Sequence, residues 1–448
     1  MKEKYSQLFK VILESYYSGN FEQKIKEIFS ESNIDKEELC SVISSLCGTN
    51  IPYSSNFTSD LKNAIENYNK NNKIVNKTKR CSLDCKDENG DIACVKSCPF
   101  EAILVDNDKN TTYIDTDKCT DCGICVESCP SGGIMDQVQF LPLANILKDN
   151  SPVIAAVAPA IVGQFGSDIK IGQLRSAFKK MGFTDMVEVA FFADMLTLKE
   201  SIEFDHYVNS EDDLMITSCC CPMWVGMLKR VYKDLVKYVS PSVSPMIAAG
   251  RVIKKLNSNC NVVFVGPCIA KKAEAKNKDI AGSIDFVLTF QELKDIFETF
   301  KINPSELEND ESSEYASKGG RLYARTGGVS IAVNDAVGRI FPEKKNLLKA
   351  IQANGIKECK EILSKAQNNE IHANFIEGMG CIGGCVGGPK AIISKEQGKK
   401  HVDEFANNSD INVAVDSICM NTILNKIGIN SIDDFKDEEK ISIFERNF

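Results

Sequence analysis

The chain has 448 residues, is 43% hydrophobic, and sets 53 Lys+Arg against 62 Asp+Glu for a net charge of −9. That length predicts about three domains, the apolar content excludes a disordered chain, and the acidic balance excludes nucleic acid as a main partner, because phosphate binding needs a basic surface. No apolar run reaches the roughly 18 residues of a membrane helix, and the opening Met-Lys-Glu-Lys lacks an apolar or twin-arginine signal, so a cytoplasmic protein with no membrane partner is expected.

In chain order, residues 1–76 are expected to be a helical N-terminal region. Leu8, Phe9, Ile12 and Leu13 form a helical stripe that Gly19 can stop, and Asp60 to Tyr68 repeats the pattern after a possible cap at Ser59. Cys40 and Cys47 are expected to be buried core thiols. Residues 69–80, NKNNKIVNKTKR, are polar and basic and are expected to be a linker.

Of 19 cysteines, eight fall between residues 81 and 129, and only three histidines are present. Thiolate rather than imidazole chemistry is therefore expected. Residues 77–140 form the second expected domain. The run Cys119-x2-Cys122-x2-Cys125-x3-Cys129-Pro is that of bacterial-type ferredoxins, and Cys81-x3-Cys85-x8-Cys94-x3-Cys98-Pro is a stretched version of it. In two-cluster ferredoxins the fourth cysteine of each run serves the other cluster. Cys81, Cys85, Cys94 and Cys129 are thus assigned to one 4Fe–4S cluster, and Cys98, Cys119, Cys122 and Cys125 to the other. A zinc module is the alternative, but the tight spacing suits a cubane better. Ile103–Val105 and Thr112–Ile114 predict a small hairpin between the runs.

Residues 141–448, the third expected domain, alternate short apolar runs with amphipathic stretches. Val153–Val157, Met186–Val189, Leu214–Thr217, Val262–Val265 and Phe286–Thr289 are predicted strands, and Gln291 to Phe300 is a predicted helix; the pattern is α/β with parallel sheet. Three loops carry cysteine: Thr217-Ser-Cys219-Cys220-Cys221-Pro222-Met223-Trp224, Gly266-Pro267-Cys268, and Glu377-Gly-Met379-Gly-Cys381-Ile-Gly-Gly-Cys385. The first two follow predicted strands, where α/β sheets hold ligands. One cysteine of the first loop, Cys268, Cys381 and Cys385 make four more thiolates, enough for a third cubane. Cys260, Cys359 and Cys419 are expected in the core.

These loops resemble the three signature motifs of FeFe-hydrogenases, and the resemblance covers roughly residues 80–430. It implies a catalytic domain with two parallel-sheet lobes around the H-cluster, a 4Fe–4S cubane joined through a cysteine to a di-iron site carrying CO, cyanide and a bridging amine dithiolate. Carried over by position, the cubane ligands are Cys221, Cys268, Cys381 and Cys385, with Cys385 the bridge. Lys271 matches the lysine that holds a cyanide, Met379 the methionine packed against the di-iron site, and Cys220 the proton-relay thiol. Glu200 and Glu203, at i, i+3 on a predicted helix Ala193–Phe204, and Ser240 before Pro241, match the family's proton path in the order Glu203, Ser240, Glu200, Cys220.

Departures from the common pattern resemble the subgroup marked by a TSCCCP loop. They are the third consecutive cysteine, Met223 where glycine is usual, Gly266 where methionine is usual, Pro389 in the third loop, and Tyr207 where the path's outermost arginine falls. The extra thiol leaves the relay between Cys219 and Cys220 open.

The resulting expectation is a hydrogenase that interconverts H2 with two protons and two electrons, exchanges electrons with ferredoxin or a similar carrier through two accessory 4Fe–4S clusters, and depends on maturation enzymes. The rivals are an H2-sensing relative, a non-catalytic iron–sulfur assembly protein of the same family, and a plain electron-transfer ferredoxin.

Overall fold

The computed structural model describes residues 3–81, 83–149, 151–218, 220–312 and 315–448; Cys219 lies outside them. The chain divides into two compact units. One comprises Met1–Ser151, Cys268–Lys276 and Phe286–Asn303, the other Pro152–Pro267, Asn277–Asp285 and Pro304–Phe448.

The first unit opens with helices Glu3–Ser18, Phe21–Glu31, Lys36–Leu46 and Phe57–Glu66. Phe9, Ile12 and Leu13 are buried, and Gly19, at φ +81°, ends the first helix in the left-handed region that glycine enters freely. The fourth helix begins at Phe57 rather than after Ser59. Phe57 is buried against Phe29, ring centroids 5.5 Å apart, and that contact draws the helix start forward. Residues 69–80 are not only a linker. Val75–Lys77 forms a strand antiparallel to Ile134–Asp136, because Ile74 and Val75 bury their side chains despite the polar residues around them.

The predicted hairpin is present, Ile103–Asp106 against Thr111–Ile114. Helices Ala93–Ser97 and Ile124–Ser128 carry Cys94 and Cys125; five residues are too few to show a helical period in sequence. Cys40 and Cys47 are buried, and burial pushes both thiols up, Cys40 to about 11.

Three separate stretches of this unit meet at Lys272. Its ammonium lies 2.8 Å from Asp136 and 2.5 Å from Glu292, and also donates to the Gln137 carbonyl. The lysine side chain is 0% exposed, so each charge depends on the others for the solvation it has lost.

The second unit contains two parallel sheets. Val153–Val157 lies between Asp185–Glu188 and Asn261–Gly266, paired in parallel with both. Phe375–Met379 lies between Ala350–Asn354 and Met215–Ile216, again in parallel. The strands containing Gln352 and Glu377 carry no apolar run, and the sequence pattern did not predict them. Helix Ala190–Tyr207 is buried on nearly every side from Ala190 to Phe204, a central helix rather than an amphipathic one. Cys260 and Cys359 are buried as expected, whereas Cys419, on helix Ile418–Lys426, is only half-buried.

Removing the cation at the centre of a buried charge triad strands two carboxylates. Lys272→Met is expected to lower the unfolding free energy by about 3–5 kcal/mol, read by urea denaturation, and Glu292→Gln in that background should recover part of the loss.

Candidate functional site

The ferredoxin-like segment brings cysteines of its two runs near one another. Burial first, and then the neighbouring thiols Cys85, Cys129 and Cys81, raise the Cys94 thiol against a hydrogen bond with Thr112. Burial and the neighbours Cys122, Cys119, Cys98 and Cys94 raise Cys125, and burial carries Cys122 to about 12. Cys129 is thus a neighbour of Cys94, and Cys98 of Cys119, Cys122 and Cys125. Backbone N–H groups of Ala102, Asp121 and Gly133 donate to the sulfurs of Cys98, Cys119 and Cys129 at 3.3–3.4 Å. Donors of this kind stabilise a ligating thiolate. Cys81 goes the other way. Burial raises it, but hydrogen bonds with Thr111 and Thr112 and from Lys77 prevail and bring the thiol down to about 6. Thr111, Thr112 and Lys77 carried no sequence signal for this role.

In the second unit the loops converge on the segment Tyr323–Thr326. Cys220 donates to the Tyr323 carbonyl at 3.8 Å. The third loop docks there through Thr326 N–H to the Gly383 carbonyl and Val386 N–H to the Ala324 carbonyl. The first and third loops also touch directly, since Gly380 N–H donates to Cys221 Sγ at 3.4 Å. Gly384, at φ +84°, packs so closely that an added Cβ would lie 2.6 Å from the Thr326 nitrogen. The end of the second loop is tied in at Pro267, whose carbonyl accepts from Lys390 N–H at 3.0 Å; Cys268 is the next residue in the chain. Cys221, Cys381 and Cys385 are partly accessible thiols. Soft sulfur donors, an amide aimed at one of them, and glycines that leave room beside the backbone fit an iron–sulfur group.

Glu377 holds the third loop in place. It accepts from Gly327 N–H, Ser330 N–H and Ser330 Oγ at 2.7–2.8 Å, capping helix Gly328–Ile340, and burial pushes its carboxyl up. Met379 is buried at the end of the same strand. Lys271, in the first unit, is buried and paired with Glu274 at 2.6 Å.

Glu200 and Glu203 both lie on helix Ala190–Tyr207, which extends beyond the predicted Ala193–Phe204. Ser240 Oγ donates to Glu203 Oε2 at 2.6 Å. Glu200, fully buried, takes its hydrogen bonds at 2.8 Å from Thr217, the residue that leads into the cysteine loop. Sequence reading missed Thr217, and also Ser242, whose hydroxyl lies 2.8 Å from that of Ser240, and Lys199, which binds the other oxygen of Glu203. Only Lys199 left a signal, its i, i+4 spacing from Glu203. Tyr207 and Ser240 line a cavity of about 650 Å³ that also touches Asp213, Lys237 and His372.

Residues 151–389, more than half of the chain, match the family described as the iron only hydrogenase large subunit, C-terminal domain. The chain belongs to that family. Residues 79–133 match a 4Fe–4S dicluster domain. Iron hydrogenase 1 of Clostridium pasteurianum is 28% identical over 63% of this chain and 65% of its own length. A cytosolic Fe–S cluster assembly factor homolog of Schizosaccharomyces japonicus is 23% identical over 45% of this chain and 46% of its own. The chain therefore spans less than two thirds of either relative. Among solved structures, an FeFe-hydrogenase of Chlamydomonas reinhardtii matches with a TM-score of 0.55 at 21% identity, covering 66% of this chain and 94% of that one. The parallel-sheet architecture is thus that of the family.

Asp194 seats the helix that carries both glutamates. It is fully buried and accepts from Ser317 N–H and Oγ at 2.5–2.7 Å. Burial nonetheless pushes its carboxyl up to about 7. The folded chain therefore holds this proton more tightly than the unfolded one. The stability it contributes is present below the ordinary aspartate value of about 4 and is lost as pH rises through about 7. Asp194→Asn should flatten the decline of unfolding free energy between those limits, measured by denaturant titration across pH.

Proposed function

We propose that this chain is an FeFe-hydrogenase that interconverts H2 with two protons and two electrons. Cys221, Cys268, Cys381 and Cys385 would hold the H-cluster, with Cys385 as the bridge, Lys271 beside a cyanide ligand and Met379 packed against the di-iron site. That group supplies the metal-centred bond making and breaking, and the protein supplies orientation, protons and exclusion of water.

The observation that carries this reading is the buried acid–hydroxyl series on the far side of the cysteine loop. Glu203 and Ser240 are joined at 2.6 Å, and Glu200 is joined through Thr217 to the loop that bears Cys220. An assembly factor needs thiolates but no proton route, so these groups favour the enzyme over that relative. Cys220 holds the proton nearest the reacting site, and Glu200, Ser240 and Glu203 exchange it toward solvent. Electrons would travel the other way, through Cys98, Cys119, Cys122 and Cys125. Ile269, the residue after Cys268, packs against Gly123, where an added Cβ would lie 2.6 Å away. That contact makes a short route from the accessory clusters, with a ferredoxin-type carrier as the outer partner. Among the described residues no helix is long and apolar enough to cross a membrane.

Protein produced without maturation enzymes should hold three cubanes, about 12 iron atoms, and be inactive. Supplying the di-iron unit should bring both H2 turnover and infrared bands of iron-bound CO and cyanide. A matured protein without those bands would remove the hydrogenase reading.

The relay thiol is tested by comparing Cys220→Ala with Cys219→Ala at equal cluster loading. Cys220→Ala should keep the infrared signature and lose turnover by at least about 100-fold, the usual worth of a positioned proton donor, while Cys219→Ala should keep both. The reverse result would assign the relay to Cys219.

A further inference from the structure

Helix Ala190–Tyr207 buries a lysine where a cation is costly. The Lys199 side chain is 1% exposed, and its ammonium lies 2.5 Å from Glu203 Oε1, 3.3 Å from Glu445 Oε1 and 3.3 Å from Ser242 Oγ. Glu445 comes from a different part of the chain. Its backbone is bridged to Ser242, the adjacent Arg446 N–H donates to the Pro241 carbonyl at 2.8 Å, and Arg251 donates to the carbonyl of Glu445 at 2.6 Å. Residues 444–446 therefore lie antiparallel to residues 241–243 through one bridge, with Val243 N–H donating to the Phe444 carbonyl at 2.8 Å, and bring the Glu445 carboxylate to the ammonium.

The three side chains grade from surface to interior. Glu445 is 25% exposed, Glu203 12% and Lys199 1%. Two carboxylates share one cation, so the cluster carries a net charge of −1 and takes up one proton without becoming positive. Burial pushes the Glu445 carboxyl up, and Lys199 pulls it back. The ionisable groups facing Glu445 are Lys199, Glu203, Glu438 and Tyr207.

We propose that Glu445 is the solvent-facing acid of the proton path and that Lys199 couples it to Glu203. This rests on the hydrogenase reading above. The exchange balances as one proton moved. Glu445 takes a proton from water; Lys199 gives an N–H proton to Glu203 Oε1 while taking the one on Glu445 Oε1, and is left an ammonium. Once the Glu203 carboxyl turns to bring that proton to the side of Ser240 and the Ser240 hydroxyl rotates to accept it, Glu203 passes it to Ser240 and is left a carboxylate. Lys199 and Glu445 act through Glu203 and are positioning residues. Tyr207, which stands at the place of the family's outer arginine, leaves this outer task open, and Glu445 fills it from another element.

Two readouts test the proposal. In protein without the di-iron unit, infrared pH-difference spectra should show a titrating carboxyl band that disappears in Glu445→Gln. Its midpoint should rise in Lys199→Met and return in Lys199→Arg. In matured protein, Glu445→Gln should lower H2 turnover about tenfold or more and displace the pH profile, with metal content and the CO and cyanide bands unchanged; Glu445→Asp should recover part of the rate. An active wild type with an indifferent Glu445→Gln overturns the role of Glu445 alone. A matured wild type without turnover overturns the hydrogenase reading and the path with it. If Lys199→Met does not fold, Lys199→Arg and the two Glu445 variants still decide the matter.

Discussion

Parallel pairing of Met215–Ile216 with Phe375–Met379 is the constraint on which the candidate site depends. Because the strands run in the same direction, their carboxyl ends emerge side by side, and so do the loops that follow them. Cys220 and Cys221 leave one strand and Cys381 leaves the other, although some 160 residues of chain separate them. The Gly380 amide then reaches Cys221 Sγ without any rearrangement of the loops. An antiparallel pairing would have sent the two cysteine loops to opposite ends of the sheet.

Buried charge does the rest of the positioning. Glu377 accepts three hydrogen bonds at the start of helix Gly328–Ile340, and Asp194 accepts two from Ser317. Arg321 makes two bonds to Glu188 at 2.8 and 3.1 Å. In a medium of low dielectric such groups cost several kcal/mol when unpaired, so each ties its element to one place. Residues 321–328, the platform for the first and third loops, are held between two of these anchors.

The departures from the usual motif pattern have a packing account. Met223, which stands where glycine is usual, occupies the face of Gly380, where an added Cβ would lie 1.6 Å from its methyl carbon. Trp224 covers Gly378 in the same way. Conversely, Gly266 stands where methionine is usual, and the space beside it is taken by the Phe264 ring and Ala158. Volume lost at Gly266 is filled by a ring of its own strand and by Ala158, and the volume of Met223 is matched by glycine at position 380, which keeps the interior close-packed.

The cysteine spacing by itself determined the two-cluster ferredoxin-like segment, because thiolates at x2, x2 and x3 intervals suit a cubane better than a single metal ion. The apolar runs determined most of the first sheet and the helix bearing Glu200 and Glu203. Strands Ala350–Asn354 and Phe375–Met379 were not legible, since Gln352, Asn354 and Glu377 break the apolar pattern and find their partners only after folding. The same holds for Thr217, Ser242 and Lys199 beside the glutamates, and for Thr111, Thr112 and Lys77 around Cys81. Each is an ordinary polar residue in sequence, and only tertiary packing removes its water and turns it toward a carboxylate or a sulfur. Glu445 is the extreme case: no local pattern marks it, and it meets Lys199 because a backbone bridge to Ser242 carries it there. Local spacing encodes chemistry when the ligands are neighbours in the chain, whereas a cluster of carboxylates, hydroxyls and a lysine assembled from four separate elements is decided by the fold.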